Sequence, residues 1–140
     1  MTTIATASAT STAAPAAFFA KWADMATWPE WNNDTEWVQL AGPFAQGATG
    51  TLKPKGGPKV PFVIERLSDR EFVDVSKLVG ARLIFDHQVT TGEEGTTVTV
   101  TVSIEGRLRW FWTKVMGADL AKSVEPDLRA LVAAAEAVRV

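Results

Sequence analysis

The chain reads as an α+β protein in which one curved antiparallel sheet of about seven strands closes around a long C-terminal helix. Three observations predict this. The middle of the chain is a series of short alternating segments divided by glycine and proline turns. The last third switches to a helical period. A sheet with one apolar face and a helix with one apolar stripe then have to cover each other. The 140 residues suit a single domain with one core, so 1–140 is read as one unit.

The elements follow in order. Residues 3–10 alternate small and polar side chains, with Ala5, Ala7 and Ala9 on one side, which suits a first strand lying close to another element. Ser11 or Thr12 is placed to cap a helix with Pro15 in its first turn, and Ala16, Phe19, Ala20 and Ala23 recur at helical spacing up to about Asp24. Residues 25–33 hold Pro29 and Asn32-Asn33, leaving room for a turn or two of helix. Strands are expected at 36–40, 49–53, 60–67, 71–79, 81–90 and 96–105, and the short turns between them imply an antiparallel meander. In the last strand Val98, Val100, Val102 and Ile104 share one face and Thr97, Thr99, Thr101 and Ser103 the other. Past Gly106, apolar residues from Leu108 through Met116, Leu120, Val124, Leu128 and Leu131 to Val138 fall at steps of three and four. Pro126 predicts a kink or brief break between Ala121 and itself.

Composition narrows the function. Hydrophobic residues at 46% and charged residues at 21% exclude wholesale disorder. A net charge of −2 offers no general attraction to phosphate backbones, so nucleic acid is not an expected partner. Without cysteine there is no disulfide or thiolate metal site, which fits a cytoplasmic location. No apolar run approaches the roughly 18 residues of a spanning helix. The N-terminal stretch has no Lys or Arg before Lys21, so it reads as part of the fold rather than a signal peptide.

The element order, the Trp28-Pro29-Glu30-Trp31 segment after the first helix, the turn at 92–97 followed by Val-Thr alternation to Gly106, and the closing Leu131-Val132-Ala133-Ala134-Ala135-Glu136 carry a family likeness. Together they resemble the polyketide cyclase/dehydrase branch of the START-like (SRPBCC) proteins, which have the helix-grip fold. The resemblance spans nearly the whole chain and rests on soft patterns rather than a catalytic signature. It implies a deep cavity between sheet and helix, used across the superfamily for lipids, sterols, polyketides, aromatic compounds or hormones. Other members of this kind are chaperone co-factors or ribosome-associated toxins.

His87 is the only histidine, and strand alternation places it on the inward face with Leu83, Phe85 and Val89. Three roles stay open for it: general acid or base in a cyclisation or dehydration, polar contact to a ligand, or a hydrogen-bonded core residue. Asp74 orients His87 if the Phe72 face is the inner one, but Val73 and Val75 compete for that side, and a solvated Asp74 is the expectation. Glu65, Arg66, Arg82, Asp86, Arg107 and Arg109 read as a solvated outer face, with Arg82 or Arg107 the options for a carboxylate at the rim. Lys53, Lys55 and Lys59 lie on a hairpin tip.

One histidine and no cysteine give no metal site. No serine stands in a nucleophile context, and the glycine spacing matches no phosphate or dinucleotide loop, so no cofactor is expected. Of Trp110, Phe111 and Trp112, one must point away from the others at about 100° per residue. That ring would sit at the pocket mouth or in a homodimer contact.

Two functions follow. The first is a domain that binds a small hydrophobic ligand, with cyclisation or dehydration as its chemistry, and a cavity lined by Trp31, Phe62, Ile64, Phe85, His87, Val100, Trp112 and Met116. The second is a protein-interaction module whose cavity is filled by its own side chains.

Overall fold

The computed structural model describes residues 1–32 and 34–137. Asn33, in the expected turn, and Val138, the last apolar position of the helical pattern, lie outside them. The order is β1 (Thr2–Ser11), α1 (Pro15–Ala23), a single 3-10 turn (Met25–Thr27), α2 (Trp28–Trp31), β2 (Thr35–Ala41), β3 (Thr49–Pro54), β4 (Val60–Leu67), β5 (Glu71–Leu78), β6 (Ala81–Gly92), β7 (Gly95–Glu105) and α3 (Arg109–Ala137).

The seven strands form one antiparallel sheet in the order β1-β7-β6-β5-β4-β3-β2. Strands β2 to β7 are the expected meander, and β1 adds itself beside β7. Register shifts at Thr3/Ala5, Thr35/Trp37 and Ile64/Arg66 introduce bulges, which bend a sheet and increase its twist. Helix α3 lies across β1 and β7. There Ala5, Ala7 and Ala9 pair with Val102, Val100 and Val98, and their small side chains let the helix approach. The outer face of the same pair is polar, with the Ser8 and Thr99 hydroxyls hydrogen-bonded at 2.8 Å.

Three expectations are corrected. Helix α1 is capped by Ala14, not by Ser11 or Thr12. Ser11 ends β1, and its hydroxyl is already engaged, accepting from the Ala13 amide at 3.0 Å and donating to Glu136 at 2.6 Å. Helix α3 runs through Pro126 without a break. Pro126 and Lys122 are both exposed, so water can take the carbonyl that the proline leaves without a donor. At the start of α3, two rings rather than one turn outward, with Trp110 66% and Phe111 43% exposed. Only Trp112 is anchored, its indole N–H donating to the Val79 carbonyl at 2.8 Å.

Candidate functional site

Because α3 packs mainly on β1 and β7, the curved remainder of the sheet and the helix border a cavity of about 950 Å³ that opens to solvent. Its sheet wall comes from Asp74, Ser76, Leu83, Phe85, His87, Val100 and Val102, and its helix wall from Met116, Leu120, Val124, Leu128 and Leu131. Trp22, Trp28 and Trp31 close one end. At the rim stand Asp34, Lys55, Asp119, Lys122 and Asp127.

Of the eight residues expected to line it, Trp31, Phe85, His87, Val100 and Met116 do so, whereas Phe62, Ile64 and Trp112 do not. Phe62 is buried with its ring over Gly50, its partner on β3; a Cβ at Gly50 would lie 2.5 Å from the ring. Ile64 is fully enclosed in the core beside it. Trp112 is held away at the β5–β6 turn by its bond to Val79.

The polar centre of the wall is on β5 and β6. Pairing of Phe72 with His87, Asp74 with Phe85 and Ser76 with Leu83 sets the β5 face. It puts Asp74 in the cavity wall with only 6% of its surface exposed, correcting the solvated reading. Alternation misled here because β5 is buried on both faces: Val73 and Val75 are also covered, but on the outer side and apart from the core cluster.

His87 is held on three sides. Phe72 stacks on it with centroids 4.8 Å apart and planes at 17°, and Trp22 lies 5.0 Å away. Its Nδ1 is 2.8 Å from the Phe72 carbonyl, which can only accept, so Nδ1 carries the proton and Nε2 is left for a ligand. Burial lowers the His87 pKa to about 4, against the pull of the carbonyls of Phe72 and Phe85. Burial likewise pushes Asp74 up to about 7. Asp74 Oδ1 lies 3.8 Å from His87 Nδ1, too far for a hydrogen bond, and with the imidazole neutral the two form no ion pair. The usual order is thus inverted: near neutrality the carboxyl holds the more available proton and the imidazole is a free base. Such a pair can donate to a carbonyl and accept from a carbon or hydroxyl in the same pocket.

The remaining charges behave as an outer face. Arg82 joins Glu65 and Glu105 there, which removes it as a rim anion contact. Lys53 pairs with Glu36 at 2.8 Å. A second hollow of about 540 Å³ beside Phe19 and Phe44 has, among the described residues, Asp69 and Arg70 as its only charged ones, both exposed. Among the described residues, no cluster of three His, Cys, Asp or Glu could hold a metal, and no helix is long and apolar enough to cross a membrane.

Trp22, Trp28 and Ser76 are wall residues that sequence reasoning did not assign. Trp28 carried a signal, since it is three residues from Trp31 and the two rings meet at 5.9 Å.

A bent antiparallel sheet gripping one long helix beside an open cavity defines a helix-grip protein. Residues 2–136 match the family described as polyketide cyclase/dehydrase and lipid transport, and the chain belongs to that family. Solved structures agree on the fold. The di-domain aromatase/cyclase StfQ of the steffimycin biosynthetic pathway superposes with a TM-score of 0.76 at 12% identity, over 97% of this chain and 51% of that one. The chain therefore spans about half the length of that protein. A protein from Thermus thermophilus, TTHA0849, gives 0.74 at 17% identity, covering 97% of this chain and 99% of that one. A START superfamily protein from Mycobacterium smegmatis gives 0.68 at 12% identity, covering 96% and 97%. No curated protein sequence matches the chain.

Proposed function

We propose that the chain binds a small hydrophobic ligand, a lipid, polyketide or aromatic compound, in the cavity between the sheet and α3. The observation that carries this reading is the cavity itself. At about 950 Å³ it falls within the range of roughly 300–1,000 Å³ typical of ligand sites, and its wall is mostly apolar with a few convergent polar groups. The alternative, an interaction module of the chaperone co-factor or toxin type, needs an interior filled by its own side chains, and an open volume of this size speaks against it. The absence of cysteine supports a cytoplasmic setting.

Acid–base chemistry of the cyclisation or dehydration type is the finer part of the proposal. His87 Nε2 would take a proton while Asp74 supplies one. Native mass spectrometry of protein purified from its own host tests the binding reading, with a retained apolar compound as the expected result. No carried compound, together with a melting temperature unmoved by fatty acids, sterols and aromatic polyketides, removes it. Catalysis is tested on an identified substrate, where His87→Ala protein turning over at the wild-type rate rules out the acid–base role.

A further inference from the structure

Two polar atoms on residues of the cavity wall have no hydrogen-bond partner among the described residues. Trp31 Nε1 and Asp74 Oδ1 belong to wall residues but lie just beneath the cavity surface, closed to water, and no protein group satisfies either. A buried orphan of this kind costs about 1–3 kcal/mol unless something polar meets it. They belong to one cavity and differ in origin, one from α2 and one from β5. His87, with Nδ1 given to Phe72, and Ser76 add an acceptor and a hydroxyl to the same wall.

The charges around the cavity select further. Among the described residues its only cations, Lys55 and Lys122, are exposed at the rim, where Asp34, Asp119 and Asp127 also stand. None of them lies in the interior, so a buried anion would face Asp74 with no counter-charge, and an unpaired buried charge is strongly penalised.

We infer that the wall formed by Trp31, Asp74, Ser76 and His87 recognises an uncharged ligand through a hydroxyl group on an apolar body, and discriminates against the matching carboxylate. The hydroxyl oxygen accepts from the Trp31 indole once that ring turns its N–H to the cavity surface, and its hydrogen goes to His87 Nε2 or Asp74. This rests on the proposed binding role and narrows its ligand class. The carboxyl of Asp74, held near 7 by burial, can meet either end of such a group.

The test is calorimetric titration of the full chain at pH 7 with naphthalene, 1-naphthol and 1-naphthoate, which share one apolar body. Naphthol is expected to bind about tenfold more tightly than naphthalene, the worth of one well-made buried hydrogen bond, and naphthoate more weakly than naphthalene. In Trp31→Phe protein, shown folded by its circular dichroism, the ratio of naphthol to naphthalene affinity should shrink toward one. Equal binding of naphthol and naphthalene, or tightest binding of naphthoate, overturns the inference and leaves the cavity reading standing. Failure of all three to bind counts against both.

Discussion

His87 Nδ1 lies 3.8 Å from Asp74 Oδ1 yet gives its proton to the Phe72 carbonyl at 2.8 Å. The carboxyl is a neighbour of the ring rather than its hydrogen-bond partner. Each group is therefore governed by its own burial, and burial moves an acid and a base in opposite directions.

That opposition gives a signed pH dependence of stability. Asp74 and Asp127 are both raised from 3.8 to about 7, Asp74 by burial, and Asp127 by burial and then by the hydrogen bond and charge of Asp34. A raised acid favours the folded state at low pH, and that stability is lost as pH rises from about 4 toward 7. His87, lowered from 6.5 to about 4, acts the other way, and its cost appears as pH falls from about 6.5 toward 4. Between about pH 4.5 and 6.5 the folded chain holds protons on both acids and none on His87, whereas the unfolded chain holds one on His87. Stability should therefore fall with rising pH by on the order of 1 kcal/mol per unit, less to the extent that half-buried Asp127 is screened by solvent. Urea unfolding at several pH values checks this, and a midpoint rising steadily across that window contradicts it.

Asp74→Asn isolates one contribution. The amide has nearly the shape of the carboxyl and no charge to desolvate, so near pH 8 the variant should be more stable than wild type by about 1 kcal/mol or more. Near pH 3, where Asp74 is neutral in the folded and the unfolded chain, the two should unfold alike. The other titratable groups around the cavity, His87 in the wall and Asp34, Lys55, Asp119, Lys122 and Asp127 at the rim, are common to both proteins, so thermal melts at the two pH values compare Asp74 alone.

Cavity volume can be separated from fold. Val100 lies in the cavity wall opposite His87 on the neighbouring strand. Val100→Phe projects a ring into open space rather than into packed core, so it should cost less than the roughly 1–3 kcal/mol of ordinary overpacking while weakening ligand binding by tenfold or more. Unchanged 1-naphthol affinity in the titration above would move the binding site away from this wall.

How much of this was legible in the sequence depended on one-sided burial. Strand β7 has a dry face and a largely wet one, so alternation assigned Val98, Val100, Val102 and Ile104 correctly, and it placed His87 inward on β6 for the same reason. On β5 the Phe72-Asp74-Ser76 face and the Val73-Val75 face are both buried, and a period of two cannot choose between two dry faces. Phe62 and Ile64 were rightly read as inward. Whether an inward residue borders the cavity or fills the core depends on where α3 crosses the sheet, and no local pattern encodes that crossing. The tryptophans of α2 signalled a wall, but the orphan state of Trp31 Nε1 depends on contacts far apart in sequence.

Beyond the packing of Leu131 and Ala135, a hydrogen bond from β1 holds the C-terminal end of α3. Ser11 Oγ, at the end of β1, donates to Glu136 Oε2 at 2.6 Å while accepting from the Ala13 amide at 3.0 Å. Glu136 lies in the last turn of the helix, where the macrodipole disfavours a carboxylate, so the serine hydroxyl offsets an otherwise unfavourable placement. Ser11→Ala removes the donor and also leaves the buried Ala13 amide without its acceptor, for a cost of about 1–3 kcal/mol. The loss should be local. Hydrogen exchange is expected to speed up in the last two turns of α3 and at the β1–α1 junction, and to stay unchanged in β5 and β6 around His87. Exchange that accelerates evenly over the whole sheet would show instead that the contact supports the global fold rather than the docking of this helix end.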